Sequence, residues 1–220
     1  MLKTGNTFID YLLVAIRFLP LLPVLLIFFK KLYLKEPLNF LLILCLLDFV
    51  AGLIRQSAIL NAGHQSVVNN VFFILEWILL SQLFKATLSG KIREQLNIFL
   101  IIVLSILFTF YSLRGWDFNS PLLNTLQGCL ILAVVFLSLP PLVRNSGLHV
   151  FGSPLLWIAG GCLFYYPIFI LLEWLGTGWL PLCQCPADME KLAMLSIAGF
   201  VRYVLYTMAV LFYPPQPSVS

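Results

Sequence analysis

Seven stretches of about twenty residues, at 8–29, 38–60, 67–88, 92–113, 122–143, 154–175 and 191–213, run almost without charge. A bilayer-spanning helix needs ~20 mostly apolar residues, and each stretch meets that length. Membrane-barrel strands would instead alternate apolar and polar residues over about ten positions. These stretches are apolar on every side, so helices are the economical way to satisfy their backbone groups in lipid. Composition agrees: 61% of the residues are hydrophobic and 10% charged, against roughly 45–50% and 25% in a soluble domain. The expected fold is an all-α, polytopic membrane bundle of seven transmembrane helices in a single domain, 1–220, with no room for a folded extramembrane domain.

Short breaks separate the stretches: Lys30, Lys31, Lys35 and Pro37; Asn61 and Gly63; Ser89 to Lys91; Gly115, Asn119 and Pro121; Pro140, Pro141 and Gly147; Gly176 and Gly178. The first stretch follows Lys3 as a signal peptide would. It lacks a small-residue cleavage site and ends in Lys30-Lys31, so it reads as a retained span. Lys30, Lys31 and Lys35 follow the first span, and Lys85, Lys91 and Arg93 flank the break after the third. Positive residues mark the cytoplasmic side, which places the N-terminus outside and the C-terminus in the cytoplasm of a bacterial inner membrane. The net charge of +4 is spread over these loops without a dense basic cluster, so no nucleic-acid partner is expected. The expected partner is the lipid bilayer.

Four ionisable residues fall near mid-span: Arg17, Asp48, Glu76 and Arg202. A charge at that depth costs at least ~2.5–3.5 kcal/mol, and such groups face a bundle interior and pair with one another. Positions seven apart share a helix face, which extends the set outward from Arg17 to Asp10, from Asp48 to Arg55 and from Glu76 to Asn69. Asn124, Gln127 and Glu173 add polar groups in the outer half. Together Arg17, Asp48, Arg55, Asn69, Glu76, Gln127 and Arg202 outline a polar intramembrane cluster opening outward. The plain alternative is that buried ion pairs fix helix register and do nothing else. Span four, with Asn97, Ser105 and Thr109 as its modest polar residues, is expected to face lipid. Pro20, Pro23 and Pro167 would free the carbonyls of Ile16, Leu19 and Leu163.

Cys45, Cys129 and Cys162 lie within spans as small packing residues. Cys183 and Cys185 form a weak metal or redox candidate; two ligands make a poor metal site, and no cofactor is expected. His64 and His149 fall on opposite faces of the membrane, which weighs against a histidine-based zinc hydrolase. Lys191 lies only at the edge of the last span, which excludes a retinal attachment there.

The segments 69–80 (NNVFFILEWILL), 153–166 (SPLLWIAGGCLFYY) and 199–206 (GFVRYVLY) together resemble a loose group of uncharacterised seven-helix bacterial membrane proteins. Similar bundles form the membrane sensor portions of signalling kinases, so the resemblance implies a sensory role. With only 214–220 after the last span, output is expected through a separate cytoplasmic signalling protein. Three function classes stay open. They are a sensor or interaction subunit, a small-solute or ion transporter, and a lipid-modifying enzyme using Asp48 and Glu76 as acid and base. No nucleophile–base pair supports the enzyme.

Overall fold

The computed structural model describes residues 16–56, 62–85, 87–88, 90–118, 121–146, 153–175 and 187–213. Within them the chain is all helical. The helices are α1 (Leu21–Phe29), α2 (Leu38–Gln56), α3 (Ala62–Lys85), α4 (Gly90–Arg114), α5 (Pro121–Ser146), α6 (Pro154–Leu175) and α7 (Ala187–Leu211). Five segments are long and apolar enough to cross a membrane: Ser66–Lys85, Gly90–Arg114, Pro121–Arg144, Pro154–Glu173 and Ala193–Leu211. Shorter apolar helices at Ile16–Phe29 and Leu38–Ile54 complete the set.

Two segments depart from the sequence expectation, and proline explains both. The chain turns at Leu19 and Pro20, which divides the apolar segment Ile16–Phe29; α1 resumes at Leu21, with Pro20 as its N-cap and Pro23 inside its first turn. A missing N–H costs nothing there, because the first-turn donors have no intrahelical acceptor. At the other extreme, α5 continues through Pro140 and Pro141 to Ser146. Apolar surroundings favour keeping the remaining backbone bonds over breaking the helix. Just upstream, the Ser138 hydroxyl donates to the carbonyl of Val134 (2.7 Å).

Six helices close a ring in the order α1, α2, α3, α5, α6, α7, each packed on the next, with α7 returning to α1. The tightest seam is α6 on α7. Small residues permit the approach: Cys162 contacts Tyr206 across the seam, and Gly161 lies so close that a Cβ would sit 2.9 Å from Cε1 of Tyr206. Helix α4 stands outside the ring and packs chiefly on α3. Ile101, Ile106 and Phe108 on its outer side are each more than 60% exposed, so its apolar surface faces away from the protein.

Two polar ties hold the ends. Lys30, just past α1, donates from Nζ to the carbonyls of Val210 (3.1 Å) and Leu211 (2.8 Å) at the end of α7. This satisfies carbonyls that have no partner within the helix and sets a cation against the negative end of the dipole. It also shows that α1 and α7 terminate at the same end of the bundle. At the opposite end, Gly115 adopts φ 97° and donates to Tyr111 O (2.9 Å), stopping α4. Trp116 then stacks on Tyr111 at 5.1 Å, and Asn70 Nδ2 of α3 donates to the carbonyls of Trp116 (3.0 Å) and Phe118 (2.8 Å).

The seam suggests a paired test. Gly161→Val should push Tyr206 off its position and lower stability by about 1–3 kcal/mol, the usual cost of overpacking. Gly52→Ala on α2, where nothing lies within 4 Å of the new methyl, should be neutral or gain up to ~1 kcal/mol from helix propensity. Thermal unfolding of the detergent-solubilised protein reads both; equal effects would show that the α6–α7 approach is looser than described.

Candidate functional site

The buried side of α7 repeats every three or four residues through Ala198, Arg202, Tyr206 and Ala209. Arg202 occupies a core position in that stripe and is only 3% exposed. On α2, Asp48 likewise continues the stripe of Leu41, Leu44, Cys45 and Ala51. On α3, Glu76 lies beside the buried Trp77. The three charged residues point into the ring and meet. Arg202 Nη2 contacts Asp48 Oδ2, and Arg202 Nη1 lies 2.8 Å from Glu76 Oε1.

Helix rise sets the depth of this meeting. Asp48 is ten residues from the start of α2, while Glu76 and Arg202 are each nine residues from the ends of α3 and α7. At ~1.5 Å per residue all three lie roughly 14–15 Å from the end of the bundle that carries Lys30. That is half the thickness of a hydrocarbon core.

Four tyrosines surround the guanidinium. Arg202 Cζ is 4.5 Å from the ring centroid of Tyr165, 5.2 Å from Tyr203, 5.5 Å from Tyr206 and 6.0 Å from Tyr166. Aromatic faces attract a cation, by about 2 kcal/mol or more where water is absent. Tyr203 does more, because its hydroxyl donates to Asp48 Oδ2 (2.8 Å). The same hydroxyl accepts from Arg202 Nη2 at 3.4 Å, closing a triangle of α2 and α7 groups. Cys162 of α6 and the Tyr206 hydroxyl share a 3.4 Å contact, which fixes that ring from behind.

The ion pairs therefore cross the interior of the ring, from α2 and α3 on one side to α7 on the other, with the α6 tyrosines behind. Long side chains, not backbone packing, span this space. Such an arrangement can store and exchange charge and can couple the positions of four helices. Among the described residues no three His, Cys, Asp or Glu side chains converge as metal ligands.

Of the residues singled out from sequence, Asp48, Glu76 and Arg202 form this centre. Arg17 lies on the turn of helix before α1, partly exposed, and is a partner in neither ion pair of the centre. Asn69 is partly exposed, whereas its neighbour Asn70 is buried and ties down the α4–α5 connection. Gln127 is buried, but it donates to the Tyr111 hydroxyl (3.3 Å) in a separate cluster between α4 and α5. The single polar cluster anticipated from sequence is thus resolved into a mid-depth centre and an independent contact. The side chain of Arg55 and the whole of Asp10, Cys183 and Cys185 lie outside the described residues. Sequence reasoning missed Tyr165, Tyr166, Tyr203 and Tyr206. One signal was present: Tyr206 follows Arg202 by four residues and so shares its face.

Comparison with known proteins finds no matching family, curated protein or solved structure. The site's chemistry rests on its own geometry.

Because one cation serves two carboxylates, the three neutralising substitutions should differ. Arg202→Gln leaves two partly buried carboxylates facing each other and should lose up to about 3–5 kcal/mol, the range for breaking a buried pair from one side. Glu76→Gln and Asp48→Asn each leave one balanced pair and should cost less. A double-mutant cycle should show coupling of Arg202 to both acids. Additive losses in both combinations would mean that the contacts contribute nothing to stability.

Proposed function

We propose that this is a seven-span protein of the bacterial inner membrane that works as a sensor or interaction subunit, with the Asp48–Glu76–Arg202 centre as its responsive element. The observation carrying this reading is that one buried guanidinium links α7 to two other helices through the ring interior. A ligand or partner that altered the charge on any of the three would change how α7 sits against α2 and α3. Buried charge networks of this kind have discrete alternatives, since an unpaired charge in low dielectric is too costly to leave partly engaged.

The proposed orientation has the N-terminus outside and the C-terminus in the cytoplasm. Lys31, Lys35 and Lys91, like Lys30, belong to the connections at one end of the ring, and Lys30 binds the end of α7 at that same end. A positive rim fits the cytoplasmic face. Movement of α7 would then reach the cytoplasm directly, where a separate signalling protein would read it. The resemblance to sensor portions of signalling kinases points to the same role.

A second reading, a small-solute or ion transporter, is favoured by the placement of charge at mid-depth, where carriers hold coupling ions. The two differ in what they do with a perturbation. Nitroxide labels at Lys85 and Leu211, in a background with the native cysteines replaced, would report the distance between the ends of α3 and α7 in lipid. For a sensor, Glu76→Gln should shift that distance distribution. An unchanged distribution, together with solute flux in proteoliposomes that Glu76→Gln abolishes, would replace the sensor with the carrier.

A further inference from the structure

The charges of the centre do not balance. Asp48 and Glu76 contribute two carboxylates, and Arg202 is the one cation in contact with them among the described residues. The other groups facing the centre are neutral hydroxyls and thiols. Cys45 comes from α2, Cys162, Tyr165 and Tyr166 from α6, and Tyr203 and Tyr206 from α7. Full ionisation would leave one negative charge in excess in the middle of an apolar bundle, on carboxylates only 20% and 12% exposed.

Hydrogen bonding points to the same place. Tyr166 is fully buried, and its hydroxyl, turned toward Glu76, makes no aligned hydrogen bond. Nor does Arg202 Nε, on a side chain 97% buried, or Glu76 Oε1, whose contact with Arg202 is an ion pair without hydrogen-bond alignment. By contrast Asp48 Oδ2 already accepts from both Arg202 and Tyr203. The unused capacity is therefore on the Glu76–Tyr166 side, and it includes a carboxylate oxygen and a phenolic oxygen. Both are hard oxygen donors, the kind that hold a proton or a small alkali cation.

We propose that the centre is a site for one exchangeable monovalent cation, a proton or a sodium ion, held between Glu76 and Tyr166 beside Arg202. Occupancy restores neutrality. Loss of the cation returns the excess charge on the Glu76 side and draws Arg202 toward Glu76, away from Asp48 and Tyr203. The site thus ties a single bound charge to the position of α7. Cation occupancy of the centre does not depend on whether the centre serves signalling or transport.

The full chain, purified in detergent at neutral pH in a buffer whose sole cation is N-methylglucamine, can be examined by infrared difference spectroscopy for a protonated carboxyl. Sodium is then titrated in, with radioactive sodium binding measured in parallel. If the proton is the native occupant, the wild type should show one protonated carboxyl per chain, indifferent to sodium. If sodium is, about one ion should bind per chain, with release of that proton where it was present. Glu76→Gln and Asp48→Asn each remove one negative charge, so both should abolish the occupant; having two such variants covers the failure of either to fold. A wild type with neither a protonated carboxyl nor bound sodium would overturn the proposal, as would an occupant that persists in both variants.

Discussion

A guanidinium in the middle of an apolar bundle must be compensated where it stands, because neither water nor lipid can do it. Arg202 meets that requirement with Asp48 from α2, Glu76 from α3 and a surround of tyrosines from α6 and α7. The rest of the architecture follows from bringing those groups within reach. The ring order places α7 opposite α2 and α3, and the small residues of the α6–α7 seam let Tyr165 and Tyr166 approach the same point as Arg202. Removing Arg202 leaves both carboxylates without a cation. The centre is consequently both the most costly part of the molecule to bury and the part that most restricts how the helices can be arranged.

The two ends are tied by cheaper means. Lys30 engages the free carbonyls at the end of α7, and Asn70 engages the free carbonyls after α4. Both use donors to complete backbone groups that a helix terminus leaves open, so they contribute to stability without adding buried charge. Helix α4 is held by the second of these ties, by its packing on α3 and by the Gln127–Tyr111 contact with α5. Its exposed apolar side and the crowded centre of the ring show the same physics from opposite directions: apolar surface turns outward to lipid, and charge turns inward to its partners.

How much of this could be read from the sequence depended on what periodicity and depth can encode. Helical class follows from apolar length, and the mid-depth position of Asp48, Glu76 and Arg202 follows from counting residues along each helix. Rotation about each helix axis does not follow. Arg17 has a comparable depth in the sequence but lies before the break at Pro20 and outside the centre, while Asn69 and Asn70 differ by a 100° turn that only packing decides. The α6 tyrosines, Tyr165 and Tyr166, were invisible for another reason. In a chain so rich in aromatic residues, their placement around a cation depends on α6 and α7 meeting at Gly161, a tertiary fact with no local signature. Pro140 and Pro141 read as a break because the rule for soluble helices was applied where the alternative, unbonded backbone in an apolar medium, is worse.

The central claim, that one guanidinium is shared by two carboxylates from different helices, can be measured directly in lipid. Solid-state NMR on protein reconstituted in bilayers, with the arginine guanidinium nitrogens labelled with ¹⁵N and the aspartate and glutamate carboxyl carbons with ¹³C, reports dipolar couplings between the two groups. Assigned by loss of signal in Arg202→Lys, Arg202 should couple to one aspartate and one glutamate carboxyl at once, with Asp48 and Glu76 as the carriers. An Arg202 that couples to neither, or only to water and lipid phosphate, would contradict the account at its foundation.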